Sequence, residues 1–185
     1  MSEVVQTSVE ETTEQTERSR AALRQVRVFG DPVLREKAQP VTSFDGELAR
    51  LAERMTGIMR DAPGIGLAAT QVGVVRRLLV YQIEKQIHAL VNPEVEAVVD
   101  ETEIVDEGCL SVPGVVVPVE RPLVVDVRAQ DLQGEPLEFT AEGLEARVIQ
   151  HELDHLDGVL IIDRTTRQER AGALRALREG ELSRV

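Results

Sequence analysis

The sequence predicts an α+β fold: central antiparallel or mixed strands around a buried helix that carries a His-Glu-x-x-His motif, with a further helix at the C-terminus. Three observations predict it. Strand-like runs bunch between Leu78 and Thr140 while helix-period runs sit at both ends, an order that segregates helix from sheet. The body of the run Gly143 to Leu156 is unusually apolar, so that helix belongs inside the molecule. A chain of 185 residues, 42% of them apolar, can bury a core in one domain with tails to spare.

Taken in order, Met1 to Arg24 is rich in Glu, Thr, Ser and Gln and poor in large apolar groups. Such a composition does not fold alone, so residues 1–24 are expected to be a disordered or loosely attached tail. From Val26 the texture changes, and Gly30-Asp31-Pro32 supplies turn chemistry. Ser43 is a candidate N-cap for a helix in which Leu48, Leu51, Met55, Ile58 and Met59 recur at helical spacing, ending near Arg60 before Pro63. The run Gly64 to Gly73 is small and apolar, with three glycines, and reads by itself as a turn with packed alanines. Strands are expected at Leu78–Ile83, Ile87–Val91, Val115–Val119, Leu123–Arg128 and Leu137–Thr140, with Asp131-Leu132-Gln133-Gly134 as a turn. Helices follow over Gly143–Leu156 and Arg167–Glu179, the latter with Leu174 and Leu177 as a short stripe. The domain reading is a tail at 1–24, a catalytic domain at 25–165 and a basic C-terminal helix at 166–185.

Aromatic residues make up 2%, so the core must be aliphatic. No apolar run approaches the roughly 20 residues of a membrane span. No basic start leads into an apolar stretch, so no signal peptide is read and the cytoplasm is the expected location. A net charge of −12 argues against broad nucleic-acid binding, and no DNA partner is expected. The C-terminal end is basic all the same, through Arg164, Arg167, Arg170, Arg175, Arg178 and Arg184. That stretch reads either as a solvated helix face or as a surface for RNA phosphates.

The chemistry concentrates in His151-Glu152-Leu153-Asp154-His155. Residues four apart share a helix face, so both imidazoles reach one ion. Glu152 lies about 100° round the helix from His151, near enough to touch a metal-bound water without ligating. Two of the three histidines fall in this motif, and two buried imidazoles without a partner would be costly. His88 sits in a strand-like run with no acid or thiol pattern round it and reads as an ordinary strand histidine. A catalytic metal usually keeps three protein ligands and one open position. Downstream of His155 there is no His or Cys, and Asp157 reads as a helix cap near Gly158. Upstream, the single cysteine, Cys109, lies between Gly108 and Pro113, which bracket a tight loop. From composition it is as readily a buried structural thiol as a ligand.

Three segments in order resemble the peptide deformylase family: Gly64-Ile65-Gly66-Leu67-Ala68-Ala69-Thr70-Gln71, Glu107-Gly108-Cys109-Leu110-Ser111, and Gln150-His151-Glu152-Leu153-Asp154-His155. The similarity runs from about Val26 to Arg164 and includes Gly30-Asp31-Pro32-Val33-Leu34. The resemblance implies a hydrolase that removes the formyl group from N-formylmethionine on new polypeptides, releasing formate. It implies Cys109, His151 and His155 as metal ligands and Glu152 as general base, then general acid. It implies Gln71 and the Leu110 N–H as oxyanion donors, and Gly66, Ile65, Val105, Glu107, Leu144 and Val148 as substrate-binding residues. It implies Fe²⁺, one per chain, with Zn²⁺, Ni²⁺ or Co²⁺ able to substitute.

The chemistry suits those assignments. A metal makes hydroxide available near neutral pH, a carboxylate moves the proton, and amide donors hold the new oxyanion. The chain departs from some family members in having Val115-Val116-Val117 where an Arg can follow the Cys-loop proline, which leaves Arg121 as a nearby cationic candidate. Arg147, one turn before His151, is expected to lay its stem beside the pocket with its guanidinium in solvent. Two other readings stand beside this one. A metallopeptidase follows from the helix motif alone, and a non-catalytic ribosome-associated module from the basic C-terminal end.

Overall fold

The computed structural model of the chain describes residues 14–182. Its backbone runs through α1 (residues 14–23), α2 (Gly46–Asp61), β1 (Gly66–Ala68), β2 (Leu78–Ile83), β3 (Gln86–Ala97), β4 (Thr102–Cys109), β5 (Val112–Pro122), β6 (Val124–Gln130), β7 (Pro136–Glu142), α3 (Gly143–Leu156) and α4 (Arg167–Leu182), with short 3-10 turns at Pro32–Arg35, Ala69–Val72 and Ile161–Asp163. The strands form a five-stranded sheet in the order β1-β2-β3-β6-β7 and a two-stranded sheet of β4 and β5. All pairings are antiparallel. The fold is thus α+β, as expected. α3 touches strands of both sheets and so holds them together.

α3 buries Ala146, Val148, Ile149, Gln150, Glu152, Asp154, His155 and Leu156. Val148 and Ile149 pack in one cluster with Leu79 and Tyr81 of β2 and Val125 and Val127 of β6. A second cluster joins α2, through Leu48, Met55 and Met59, to Leu67, Leu78 and Val80. A third sets Val115, Val117 and Val119 of β5 against Ile161, Ile162 and Ala173. Just past the Asp157 cap of α3 stands Gly158, where φ is +74° and an added Cβ would lie 2.7 Å from the Arg35 carbonyl oxygen. Only glycine fits that turn without strain.

The structure corrects the sequence reading in several places. α2 is capped by Asp45, whose carboxylate accepts the Glu47 and Leu48 N–H groups, while Ser43 donates to Asp45 instead of capping. β1 lies inside the small apolar run read as a turn, and β4 in an acidic stretch to which the sequence assigns no strand. Both are defined by pairing with distant strands, which local composition does not report. β3 extends past its expected end because Pro93 sits at a register shift between Val91 and Glu94, where its missing N–H is tolerated. Residues 14–23, expected within the tail, are helical. Ala22 at their end is buried in the α2 cluster, so packing supplies what composition does not. The rest of the expected tail, residues 1–13, lies outside the described residues. Among the described residues, no helix is long and apolar enough to cross a membrane.

Candidate metal centre

α3 presents His151 and His155 on one face, ring centroids 5.1 Å apart, as the four-residue spacing requires. Cys109 ends β4, where the ladder slips so that Gly108 opposes Val116 but Cys109 opposes Val112. The tight loop expected round this thiol is therefore the tip of a hairpin. That tip brings Cys109 Sγ to 3.1 Å from His155 Nε2. Ligand atoms of Cys109, His151 and His155 all lie within 4.8 Å of one another. The third donor thus comes from upstream, unlike the downstream ligand that the peptidase reading requires.

The 3-10 turn at Ala69–Val72 fixes Gln71. Its Oε1 accepts the Ala68 N–H at 2.8 Å, which turns its Nε2 toward Ser111 Oγ, at 3.2 Å, and Cys109 Sγ, at 3.8 Å. The Ser111 N–H also donates to Cys109 Sγ at 3.4 Å. Glu152 is buried, and its Oε2 has no hydrogen-bond partner among the described residues. Burial pushes its carboxyl up to about 7, against the pull of His151 and Arg121. β1 runs directly past this carboxyl. A Cβ at Gly66 would lie 2.9 Å from Glu152 Cδ, so only glycine lets strand and acid approach this closely.

Behind the ligands lies a buried charge network. Glu107 accepts from Arg121 Nε at 2.7 Å and Nη2 at 2.9 Å, from Arg147 Nη1 at 2.8 Å, and pairs with His151 Nδ1 at 2.9 Å. Burial alone would raise the Glu107 carboxyl. The hydrogen bonds from His151 and Arg121, with the Arg121 charge, overcome it and hold the group at about 2. Arg121 also donates to Asp154 at 3.0 Å, and Asp154 accepts from Arg164 Nη2 at 2.5 Å. Burial works against the His151 imidazolium, but contacts with Cys109 and Glu107 outweigh it and lift His151 to about 10 in the metal-free chain. His155 goes the other way: burial, then the His151 charge, holds it neutral.

A cleft of about 670 Å³ collects nearly every residue expected at the site: Ile65, Gly66, Gln71, Val105, Glu107, Cys109, Leu110, Leu144, Val148, His151 and Glu152. His155 lies behind it, 1% exposed. Three expectations change. Glu107 lines the cleft, but its carboxylate is taken up by His151 and two arginines instead of facing a substrate. Arg121 is buried at 4% exposure and serves Glu107 and Asp154, so it is not a cleft cation. The Arg147 guanidinium is tied to Glu107 and to the carbonyls of Val119 and Glu103 instead of reaching solvent. His88 stays outside the site, stacked on Tyr81 at 4.9 Å. Asp157 caps α3 and pairs with Arg77, as a cap and not a ligand. The sequence reading missed Ser111 and Asp154. Asp154 had a signal: an acid on the buried side of an apolar helix demands a buried cation.

The donor set fits a divalent metal. A thiol and two imidazoles converge, His151 spends Nδ1 on a carboxylate in the manner of ligating histidines, and an unpartnered carboxylate oxygen stands beside them.

The family model for polypeptide deformylase matches residues 23–171. A peptide deformylase of Acidothermus cellulolyticus is 47% identical over 160 residues, covering 86% of this chain and 88% of the relative. One of Thermotoga neapolitana is 53% identical over 139 residues, covering 75% and 85%. The crystal structure of a peptide deformylase from Synechococcus elongatus superposes with a TM-score of 0.78 at 43% identity, covering 82% of this chain and 85% of that one. With this site and these relatives, the chain belongs to the peptide deformylase family, metal-dependent hydrolases that remove the formyl group from the N-terminus of newly made polypeptides.

Proposed function

We propose that Glu152 is the proton carrier of the deformylation, working between the metal ligands Cys109, His151 and His155 and the oxyanion donors Gln71 Nε2 and Leu110 N–H. The observation that carries this reading is the buried, unpartnered Glu152 Oε2 beside the convergent thiol and imidazoles. A divalent cation held by that trio supplies Lewis acidity and makes hydroxide available near neutral pH. Glu152 accepts the proton of the attacking water and returns it to the leaving amine, so that one water and one formamide bond become formate and a free amino terminus. Burial keeps its carboxyl near 7, which suits both halves of that transfer. The Gln71 amide is aimed by its bond to Ala68 and carries no charge, as a donor to a transient oxyanion should.

β1 is the edge of the five-stranded sheet and faces the cleft through Gly66. An extended peptide can add to that edge by main-chain hydrogen bonds. Ile65, Val105, Leu144 and Val148 then supply the apolar walls that a methionine side chain takes. Glu107 contributes through His151, whose Nδ1 it holds. Fe²⁺ is the proposed native ion, with Zn²⁺, Ni²⁺ or Co²⁺ as substitutes, since a thiolate with two imidazoles accepts any of them. We place the enzyme in the cytoplasm, with residues 25–165 as its catalytic domain and the basic C-terminal helix as a ribosome contact.

Formate release from a formyl-Met peptide tests the assignment. Glu152→Ala should lower kcat by about 10²–10⁴ while the metal stays bound. A Glu152→Ala enzyme with full metal content and wild-type turnover would sink it.

A further inference from the structure

The family model begins at residue 23, so nearly all of α1 lies outside it, yet α1 ends at the active-site cleft. Leu23, its last residue, lines the cleft that holds His151 and Glu152 and is 39% exposed there. Its position is fixed from both sides. Ala22 and Val26 are buried in the α2 cluster, 3% and 6% exposed. The Val26 N–H donates back to the Leu23 carbonyl at 3.1 Å. Beyond it, Arg27 N–H donates to the Gln71 carbonyl and Phe29 N–H to the Ser111 carbonyl, each at 2.7 Å. The chain leaving α1 is therefore bonded to both loops that carry the oxyanion donors, and Leu23 is held on that frame with its side chain left uncovered.

Exposed apolar surface gathers in the same cleft. Of ten large apolar residues exposed among the described residues, five line it: Leu23, Ile65, Val105, Val116 and Leu144. Apolar groups left open together at a cleft mark the surface of a ligand. The methionine pocket takes up Ile65, Val105 and Leu144, which leaves Leu23 and Val116 without a task in it. One turn earlier on α1, Ser19 and Arg20 share a groove with Arg60, Asp61 and Pro63. α1 thus stands beside the start of the run 63–66, whose Gly66 end meets Glu152. A substrate whose formyl end is at Glu152 must run its later residues away from that acid, along the edge that leads back toward Pro63 and Leu23.

We propose that Leu23 is a specificity-determining residue of this deformylase. It forms the outer apolar wall of the cleft and favours apolar side chains at the positions that follow formylmethionine. The inference rests on the deformylase reading of the cleft and adds to it the residue at the very edge of the family match, carried by a helix that otherwise lies outside it.

The test uses the full, metal-loaded chain and two peptides, formyl-Met-Ala-Ile-Leu and formyl-Met-Ala-Ser-Asp. Both share the reacting end, so the ratio of their kcat/KM values reports the outer wall alone. The wild-type chain should prefer the apolar peptide. Leu23→Glu should lower the ratio by about three- to tenfold, chiefly through KM, the worth of covering part of one leucine side chain. Should Leu23→Glu not fold, Leu23→Ser carries the same expectation with a smaller fall. A ratio equal to wild type in a folded variant overturns the role of Leu23. Absence of formate from both peptides with the wild-type enzyme overturns the deformylase reading instead, and this inference with it.

Discussion

Glu107 sits among Arg121, Arg147 and His151, and these partners hold its carboxyl at about 2, well under its ordinary value of 4.5. A depressed carboxyl stabilises the fold fully above its unfolded value and loses that contribution as pH falls toward its folded value. The metal-free protein should therefore lose melting temperature between pH 4.5 and pH 2 partly through this one group. Glu107→Gln should flatten that loss. It should also destabilise the protein at pH 7 by about 3–5 kcal/mol, because it leaves buried arginine charge underpaired. Thermal melts from pH 7 downward decide it, and equal slopes for the two proteins would count against the assignment. Nothing in the residues Asp106-Glu107-Gly108 announced this role. The motif suggested a place at the site, but only the pairing of β4 with β5 and the packing of α3 bring Arg121, Arg147 and His151 to one carboxylate.

At the scale of elements, legibility followed locality. α3 begins and ends where its apolar period and Gly158 say it should, and β2 lies on its expected residues. The His151–Glu152–His155 arrangement was readable for the same reason: it needs only one helix. β1, β4 and the Cys109 position needed long-range pairing, and no periodicity within them carries that. α4 is a mixed case. Its stripe of Ala173, Leu174 and Leu177 packs on β5, while Arg164 and Arg170 are engaged by Asp154 and Asp163. Arg167, Arg175 and Arg178 stay exposed on this otherwise acidic chain, and these are the residues through which the proposed ribosome contact would meet RNA phosphate. Replacing these three by Gln should reduce co-sedimentation with ribosomes, and the loss should shrink as salt is raised, since phosphate contacts are screened. Co-sedimentation equal to wild type at low salt would leave α4 as a packing helix alone.

The whole molecule joins two separate sheets, and the proposed metal donors lie at their meeting point. Cys109 belongs to the two-stranded sheet, and His151 and His155 to the helix that touches both. A cation bound by all three therefore ties the β4–β5 hairpin to the body of the fold as well as serving the reaction. A ligand that binds only the folded chain stabilises it in proportion to the logarithm of its excess, about 2.7 kcal/mol at a hundredfold excess over Kd. For a domain of this size that amounts to a rise in Tm of roughly 5–10 °C. Chelation should lower Tm by that much, and readdition of ferrous or zinc ion should restore it. Cys109→Ala should begin near the chelated value and answer to neither treatment, because the hairpin no longer supplies a donor. A chelated wild-type protein that melts with the holoenzyme would show that the hairpin is held by the Glu107–Arg121–Asp154 network alone. The ion would then be a reagent of the site and not a part of the fold.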